Sequence, residues 1–106
     1  MITEALTNST VKAAIEALQS GDRHAWSALL EPDAELYDDG EPRSLAAFTR
    51  DAIGHERSTS IDRVRNQGLH LGGAFHSARW GDFRTYFRFR LSASGKIRRL
   101  DIGQSK

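Results

Sequence analysis

The sequence predicts an α+β fold, with helices in the first half of the chain and an antiparallel sheet in the second. In the first half, apolar residues recur every three to four positions, as they do along the buried side of a helix. From about residue 57 the spacing changes to two, which is the period of a half-buried strand. Gly81-Asp82 and Ser94-Gly95 are candidate two-residue turns between neighbouring strands. We therefore expect three N-terminal helices packed on the apolar face of a curved antiparallel sheet.

Three helices are predicted, and each follows a residue that can cap it. Ser, Thr, Asn and Asp side chains accept hydrogen bonds from the first free backbone N–H groups of a helix. Gly and Pro end helices. The predicted helices are residues 10 to 19 with a cap at Asn8-Ser9-Thr10, a second that follows Asp22, carries Trp26 and stops near Pro32, and a third that follows Ser44, carries Phe48 and stops at Gly54.

Five strands are predicted from the period-two pattern. One short strand lies between the second and third helices, and the others follow the third helix. The predicted strands are 34 to 38, a weak one from Arg57 to Arg65, Leu69 to Trp80, Phe83 to Leu91, and Lys96 to Gly103.

The two turns predict which strand residues face the helices, because register determines the face. The first turn pairs His76 with Phe87, and the second pairs Phe89 with Leu100. Both assignments place the phenylalanines on the same side. The core face then contains Trp80, Ala78, His76, Ala74, Phe83, Phe87, Phe89, Leu100 and Ile102, and the outer face contains Phe75, Ser77, Arg79, Arg84, Tyr86, Arg88, Arg90, Ile97 and Arg99.

Composition limits the classes of protein that fit. A chain of 106 residues makes one domain, residues 1–106, and 39% hydrophobic with 27% charged residues is typical of a globular protein. The net charge of +1 argues against nucleic acid or membrane as a partner. There is no cysteine, so disulfides and thiolate sites are excluded. The N-terminus lacks the pattern of a secretory signal, and we expect a cytoplasmic protein.

Asp38 is the first candidate functional residue. Ala34 and Leu36 alternate with polar residues, and the next inward position in that register is Asp38. Either the strand has ended there and Asp38 is a turn residue, or its carboxylate lies at the lip of a cavity. A carboxylate at the poorly hydrated entrance of a cavity can act as a general acid or base.

His76 is the second candidate, because the predicted register turns it inward between small neighbours. Its imidazole suits proton transfer near neutral pH, and it would form an acid–base pair with Asp38 if one pocket joins them. The alternative is a hydrogen-bonded core histidine. No group of His, Asp or Glu has the spacing of metal ligands, so no metal site is predicted.

Aromatic residues are the candidate walls of a ligand pocket. Most of them form the core, and those that line a cavity would favour a flat or cyclic apolar ligand. Arg43 follows the turn after Asp38, where it either holds an anionic group or is solvated. The candidate ligand-binding residues are Trp26, Phe48, Trp80, Phe87 and Phe89.

Three segments resemble one family. They are ALQSGD at 17–22, LLEPDAELYDDGEPRS at 29–44 and FRFRLSASGKI at 87–97. In this order and spacing the chain resembles the SnoaL-like, or nuclear transport factor two-like, superfamily over nearly its whole length, and most of all the ketosteroid isomerase branch. The superfamily also includes polyketide cyclases, epoxide hydrolases and dehydratases. The resemblance implies a cystatin-like cone with an open mouth and isomerase, lyase or hydrolase chemistry without a cofactor.

The resemblance assigns individual positions. The proton-shuttling carboxylate of the family corresponds to Asp38. The tyrosine that binds the oxyanion in the isomerases corresponds to a position at about Ala14, and their second donor, a protonated aspartic acid, corresponds to one at about Thr85. Both donors are absent, so true ketosteroid isomerase activity is not expected. Tyr37 and Tyr86 are the only tyrosines, and alternation directs both away from the cavity.

The outer face of the sheet is the remaining feature. Its arginines alternate with Phe75 and Tyr86, a pattern that suits nucleic acid, but the balanced net charge argues against that partner. Related folds dimerise through this face, and Asp62 and Asp101 could pair with its arginines. We therefore expect a homodimer.

Two functional hypotheses follow. The first is a small-molecule pocket protein, a cofactor-independent isomerase, lyase or hydrolase that uses acid–base chemistry on an apolar cyclic substrate. The second is a non-catalytic ligand-binding or dimeric association module of the same fold.

Overall fold

The computed structural model describes residues 6–77 and 81–104, and it contains the three predicted helices. Their caps are the predicted ones: Asn8 accepts from two backbone N–H groups, and Asp22 and Ser44 each accept from one. The helices are α1 (Ser9–Ser20), α2 (Arg23–Ala28) and α3 (Leu45–Ala52).

The strands form one curved sheet in the order β2-β1-β7-β6-β5-β3, with β4 also paired to β5. Strands β1 and β7 run parallel, and the other pairs run antiparallel. The α+β prediction is therefore confirmed. The strands are β1 (Leu30–Asp38), β2 (Glu41–Arg43), β3 (Glu56–Ser58), β4 (Arg63–Arg65), β5 (His70–Ser77), β6 (Gly81–Leu91) and β7 (Ile97–Gln104).

The first strand is longer than predicted, and it shortens the second helix. Helix α2 ends at Ala28, and β1 begins at Leu30 beside Ile97 of β7. The backbone N–H of Ile97 donates to Leu29 O at 2.8 Å. The sequence predicts that residues 29 and 30 are helical. In the structure they instead lie beside β7, which supplies a hydrogen-bond donor for the Leu29 carbonyl oxygen and a strand partner for Leu30.

The hydrophobic core lies between the helices and one face of the sheet. Each large apolar side chain moved from water into such a core contributes about 1.5–3 kcal/mol. The tightly buried members are Val11, Ile15 and Leu18 of α1, Trp26 of α2, Leu36 of β1, Phe89 of β6, and Ile97 and Leu100 of β7.

The predicted register of β5 against β6 is wrong. Phe75 pairs with Phe83, and Ser77 pairs with Gly81, so the reversal is not at Gly81-Asp82. The connection, residues 78–80, lies outside the described residues. The shift is an odd number of positions, so Phe75 turns to the core and His76 turns to the outer face. Burial of a phenyl ring, 4% exposed at Phe75, is favoured over burial of an imidazole.

The register of β6 against β7 is the predicted one over most of its length, with one local difference. Phe89 pairs with Leu100 as expected. A register shift after Arg90 pairs Leu91 with Ile97. Ile97 was assigned to the outer face, but this bulge brings it into the core, where it is fully buried.

A tight hairpin joins β1 to β2 and positions Asp38, the first candidate functional residue. Asp39 and Gly40 have φ values of 52° and 85°, and the flanking residues Asp38 and Glu41 pair directly. Positive φ at both central positions is typical of a two-residue type I′ turn, which Asp-Gly favours.

No helix among the described residues is long and apolar enough to cross a membrane.

Candidate functional site

A cavity of about 480 Å³ lies at the end of the sheet beside α3. Five of its twelve lining residues are large and apolar, and three more are Thr85, Gly103 and Gln104. The four charged lining residues, which are partly or fully exposed, form its rim. The apolar wall consists of Phe48, Phe75, Phe83, Phe87 and Ile102.

The aromatic residues of the sheet form a connected wall. The ring centroid of Phe75 is 5.6 Å from that of Phe83 and 5.8 Å from that of Phe87. The rings of Phe87 and Phe89 stack at 6.1 Å. These separations are in the range in which aromatic pairs attract one another. Each ring that faces the cavity is therefore held in place by a neighbouring ring.

Two of the five predicted ligand-binding residues line the cavity, namely Phe48 and Phe87. Trp26 and Phe89 are 0% and 1% exposed and lie behind them. The Trp26 ring is 6.0 Å from the ring of Phe48, so it supports the wall without reaching the cavity. Trp80 lies outside the described residues.

Asp38 lines the cavity at its rim, on the same side of β1 as Leu36. Arg43 Nη1 donates to Asp38 Oδ2 at 2.9 Å, and the two side chains are 40% and 36% exposed. The β1–β2 hairpin creates this contact, because Arg43 pairs with Leu36 in the ladder. The guanidinium carbon of Arg43 is also 5.3 Å from the Phe48 ring centroid. Arg43 thus joins the acid to the aromatic wall.

Two further acids reach the rim, Asp39 of the turn and Glu56 at the start of β3. Glu56 is partly buried, and Asp39 is exposed. Among the described residues that line the cavity, three are acidic and one is basic. No three His, Asp or Glu side chains of residues 6–77 and 81–104 converge as a metal site would require.

The two positions of the isomerase donors are not filled by other donors. Ala14 is fully buried in α1. Thr85 lines the cavity, but its hydroxyl donates to the Gly103 carbonyl oxygen at 2.6 Å. The proton of Thr85 is therefore committed to the backbone, and neither position offers a free donor to a ligand oxygen.

Both tyrosines lie on the outer face, as predicted. Tyr86 has the Arg88 guanidinium 4.8 Å from its ring centroid, and Tyr37 has that of Arg99 at 4.0 Å. Burial raises the pKa of Tyr86, and the negative charge of Asp39 raises it further. Neither phenol lines the cavity.

His76 does not line the cavity, in contrast to the prediction. Its Nδ1 is 2.7 Å from Asp82 Oδ1, and its side chain is 39% exposed on the outer face. The odd shift of the β5 register is the cause. His76 and Asp38 are therefore not brought together, and the expected acid–base pair is not formed.

The predicted ligand-binding residues did not include Phe75, Phe83 or Glu56, although Phe83 was predicted to lie on the core face. Phe75 was placed on the outer face by the wrong turn. The alternation of Leu71, Gly73 and Phe75, all buried, is the signal that could have revealed the correct face. Glu56 carries no such signal, because β3 has only three residues.

Comparisons with known proteins identify the fold. No family model matches the chain, and no curated protein matches it. Among solved structures, a nuclear transport factor two-like protein of unknown function from Cytophaga hutchinsonii is 14% identical, with a TM-score of 0.73 over 99% of this chain and 95% of that chain.

Two further structures have the same fold. A candidate polyketide cyclase from Pseudomonas putida is 21% identical, with a TM-score of 0.65 over 92% of this chain and 90% of that chain. The orange carotenoid protein from Anabaena, described as binding canthaxanthin, is 20% identical, with a TM-score of 0.74 over 93% of this chain but only 36% of that chain. The chain therefore has the cystatin-like fold of these nuclear transport factor two-like structures.

Proposed function

We propose that this protein binds a small apolar, ring-containing molecule in the cavity beside α3. One observation carries the proposal: Phe75, Phe83 and Phe87 line the same cavity, and their rings contact one another to form a continuous aromatic wall. The volume of about 480 Å³ is within the range of small-molecule sites. The orange carotenoid protein, which is described as binding canthaxanthin, supports the proposal because this chain matches the fold of 36% of its length.

The experiment is direct titration with a neutral aromatic probe, 2-naphthylmethanol, together with mass spectrometry of compounds retained on the purified protein. The variant Phe83→Asp places a charge in the apolar wall, and we expect it to weaken probe binding about tenfold or more. Leu91→Asp is the matched control, because Leu91 is also partly buried but does not line the cavity. Equal binding by wild type and both variants would show that the probe binds elsewhere, and absence of binding would reject the proposal.

A second candidate function is acid–base catalysis through Asp38, of the isomerase, lyase or hydrolase type. The supporting observation is that the Asp38 carboxylate lines the cavity and is held by Arg43 at 2.9 Å. A carboxylate oriented in this way could remove a proton from a bound ring compound and return it at another atom, with Arg43 near the developing negative charge. No metal or organic cofactor is required for this step. The candidate polyketide cyclase among the structures of the same fold also favours this class.

We also infer that two copies of the chain associate through the outer face of the sheet. The Tyr37–Arg99 and Tyr86–Arg88 pairs present aromatic and guanidinium groups, which are enriched at protein interfaces. A protein that only associates in this way, without catalysis, remains the alternative to the enzyme.

A further inference from the structure

The charges at the cavity rim are unequal. The charged side chains that line it, among the described residues, are Asp38, Asp39, Glu56 and Arg43. Arg43 and Asp38 neutralise one another in their ion pair. Asp39 and Glu56 form no ion pair within the described part of the chain. Within residues 6–77 and 81–104, these two carboxylates therefore have no cationic partner.

The aromatic wall and the acidic rim both favour a positively charged ligand. The faces of phenyl rings are electronegative and attract cations. The site already contains one example, since the Arg43 guanidinium lies 5.3 Å from the ring centroid of Phe48 while it binds Asp38. The rings of Phe75 and Phe83 have no such cation among the described residues.

The effect of the acids extends beyond the cavity. The pKa of Tyr86 is raised by burial first, then by the charge of Asp39, and to a lesser extent by Asp101 and Asp38, while Arg88 acts in the opposite direction. A Cβ on Gly103 would contact both Asp39 Oδ1 and the Tyr86 hydroxyl, so the Asp39 carboxylate lies close to Tyr86.

We infer that the ligand of the proposed binding site is an amine, with an ammonium group attached to an apolar ring system. The inference depends on the proposed function, because it requires that the cavity binds a ring compound. The ring would lie against Phe75, Phe83 and Phe87, and the ammonium group would lie at the rim beside Glu56. Asp39, which comes from the other edge of the sheet, would add to the negative potential of the cavity. A carboxylate or phosphate ligand would face these two acids, and the only arginine among the described lining residues is already bound by Asp38.

The test compares three probes that share one ring system: 2-naphthylmethylamine, 2-naphthylmethanol and 2-naphthylacetate. Affinities are measured by calorimetry on the full chain at neutral pH and low salt. We expect the amine to bind about fivefold tighter than the alcohol or better, and the acetate to bind more weakly than the alcohol. The advantage of the amine should shrink at high salt, because ions screen charges at an exposed rim.

Two conservative variants locate the effect. Glu56→Gln and Asp39→Asn should each reduce the advantage of the amine and leave the affinity for the alcohol within about twofold. Asp33→Asn is the matched control, because Asp33 is an exposed acid of β1 that does not line the cavity. The alcohol serves as a folding control in every variant.

The outcomes separate the two proposals. If the alcohol binds and the amine binds no tighter, or if the variants leave the preference unchanged, the amine inference is wrong and the binding function stands. If none of the three probes binds, the binding function is rejected together with the inference.

Discussion

Asp38 illustrates what a single residue reveals from its sequence position. Its inward direction was predictable, because the register of β1 against β7 is regular over the last residues of the strand. Leu36 pairs with Leu100, and Asp38 pairs with Ile102. Its contact with Arg43 was not predictable in detail, since it depends on the two-residue turn and on the start of β2. Local alternation therefore identifies the direction of a side chain, while its partner depends on the next reversal of the chain.

The catalytic proposal for Asp38 makes a prediction at this scale. If Asp38 transfers the proton, Asp38→Asn should reduce turnover of a compound identified on the purified protein by about 10²–10⁴-fold. Binding of 2-naphthylmethanol should change little, because the amide has nearly the shape of the carboxylate. Glu35→Gln is the control, since Glu35 is an exposed acid of the same strand that does not line the cavity. Unchanged turnover in Asp38→Asn would exclude Asp38 from the chemistry.

At the scale of elements, helices were predicted better than strand pairings. A cap such as Ser44 acts on a backbone N–H three residues away, so its signal is contained in a short stretch. The β5–β6 register depends instead on which rings meet in the core. Gly81-Asp82 has the composition of a turn, but the burial of Phe75 against Phe83 outweighs that local preference. His76 was misplaced for the same reason.

The two glycines of β5 provide a prediction about this element. A Cβ on Gly73 would lie 2.0 Å from the Ser60 carbonyl oxygen, so the backbone would have to move. A Cβ on Gly72 would meet only the Arg63 side chain, at 3.5 Å, which is ordinary contact. Gly73→Ala should lower the free energy of unfolding by about 1–3 kcal/mol or more. Gly72→Ala should be neutral or stabilise by about 0.5 kcal/mol, because it removes chain entropy from the unfolded state.

Urea unfolding followed by circular dichroism measures both variants. The contrast between adjacent positions on one strand is the informative quantity, because the change in propensity is the same for the two. Equal stability of Gly73→Ala and Gly72→Ala would mean that residues 59–61 do not cross β5 closely at this point.

At the scale of the whole molecule, the cavity is the feature that sequence reasoning could least define. Phe48 comes from α3, Asp38 from β1, and Phe87 from β6, and the space between them depends on how the helix crosses the sheet. Alternation assigned both Phe87 and Phe89 to the core face. It could not show that Phe87 lines the cavity while Phe89 does not. A cavity is what remains between packed elements, and no short stretch of sequence encodes it.

The outer face of the sheet carries the last prediction, which concerns assembly. On this face the guanidinium carbon of Arg99 lies 4.0 Å from the Tyr37 ring centroid. Arg99 Nη2 also pairs with Asp101 Oδ1 at 3.1 Å, so the charge of Arg99 is balanced and its side chain is held in place. An arginine that is paired in this way can be buried at lower desolvation cost than an unpaired one. A stable dimer requires about 800 Å² from each partner, which a face of four strands can provide. We therefore expect light scattering to give twice the 11.8 kDa mass of the chain.

Tyr37→Asp should convert this dimer to a monomer, because it removes the ring beneath Arg99 and places an unpaired carboxylate beside its copy across a two-fold interface. Glu16→Lys is the control, since Glu16 is exposed on α1 and lies on the helical side of the molecule. Circular dichroism should show that both variants keep the fold. A wild-type chain that stays at 11.8 kDa at high concentration, or a Tyr37→Asp variant that remains dimeric, would contradict association through this face. Since Tyr37 does not line the cavity, ligand binding should be unaffected by the loss of the dimer.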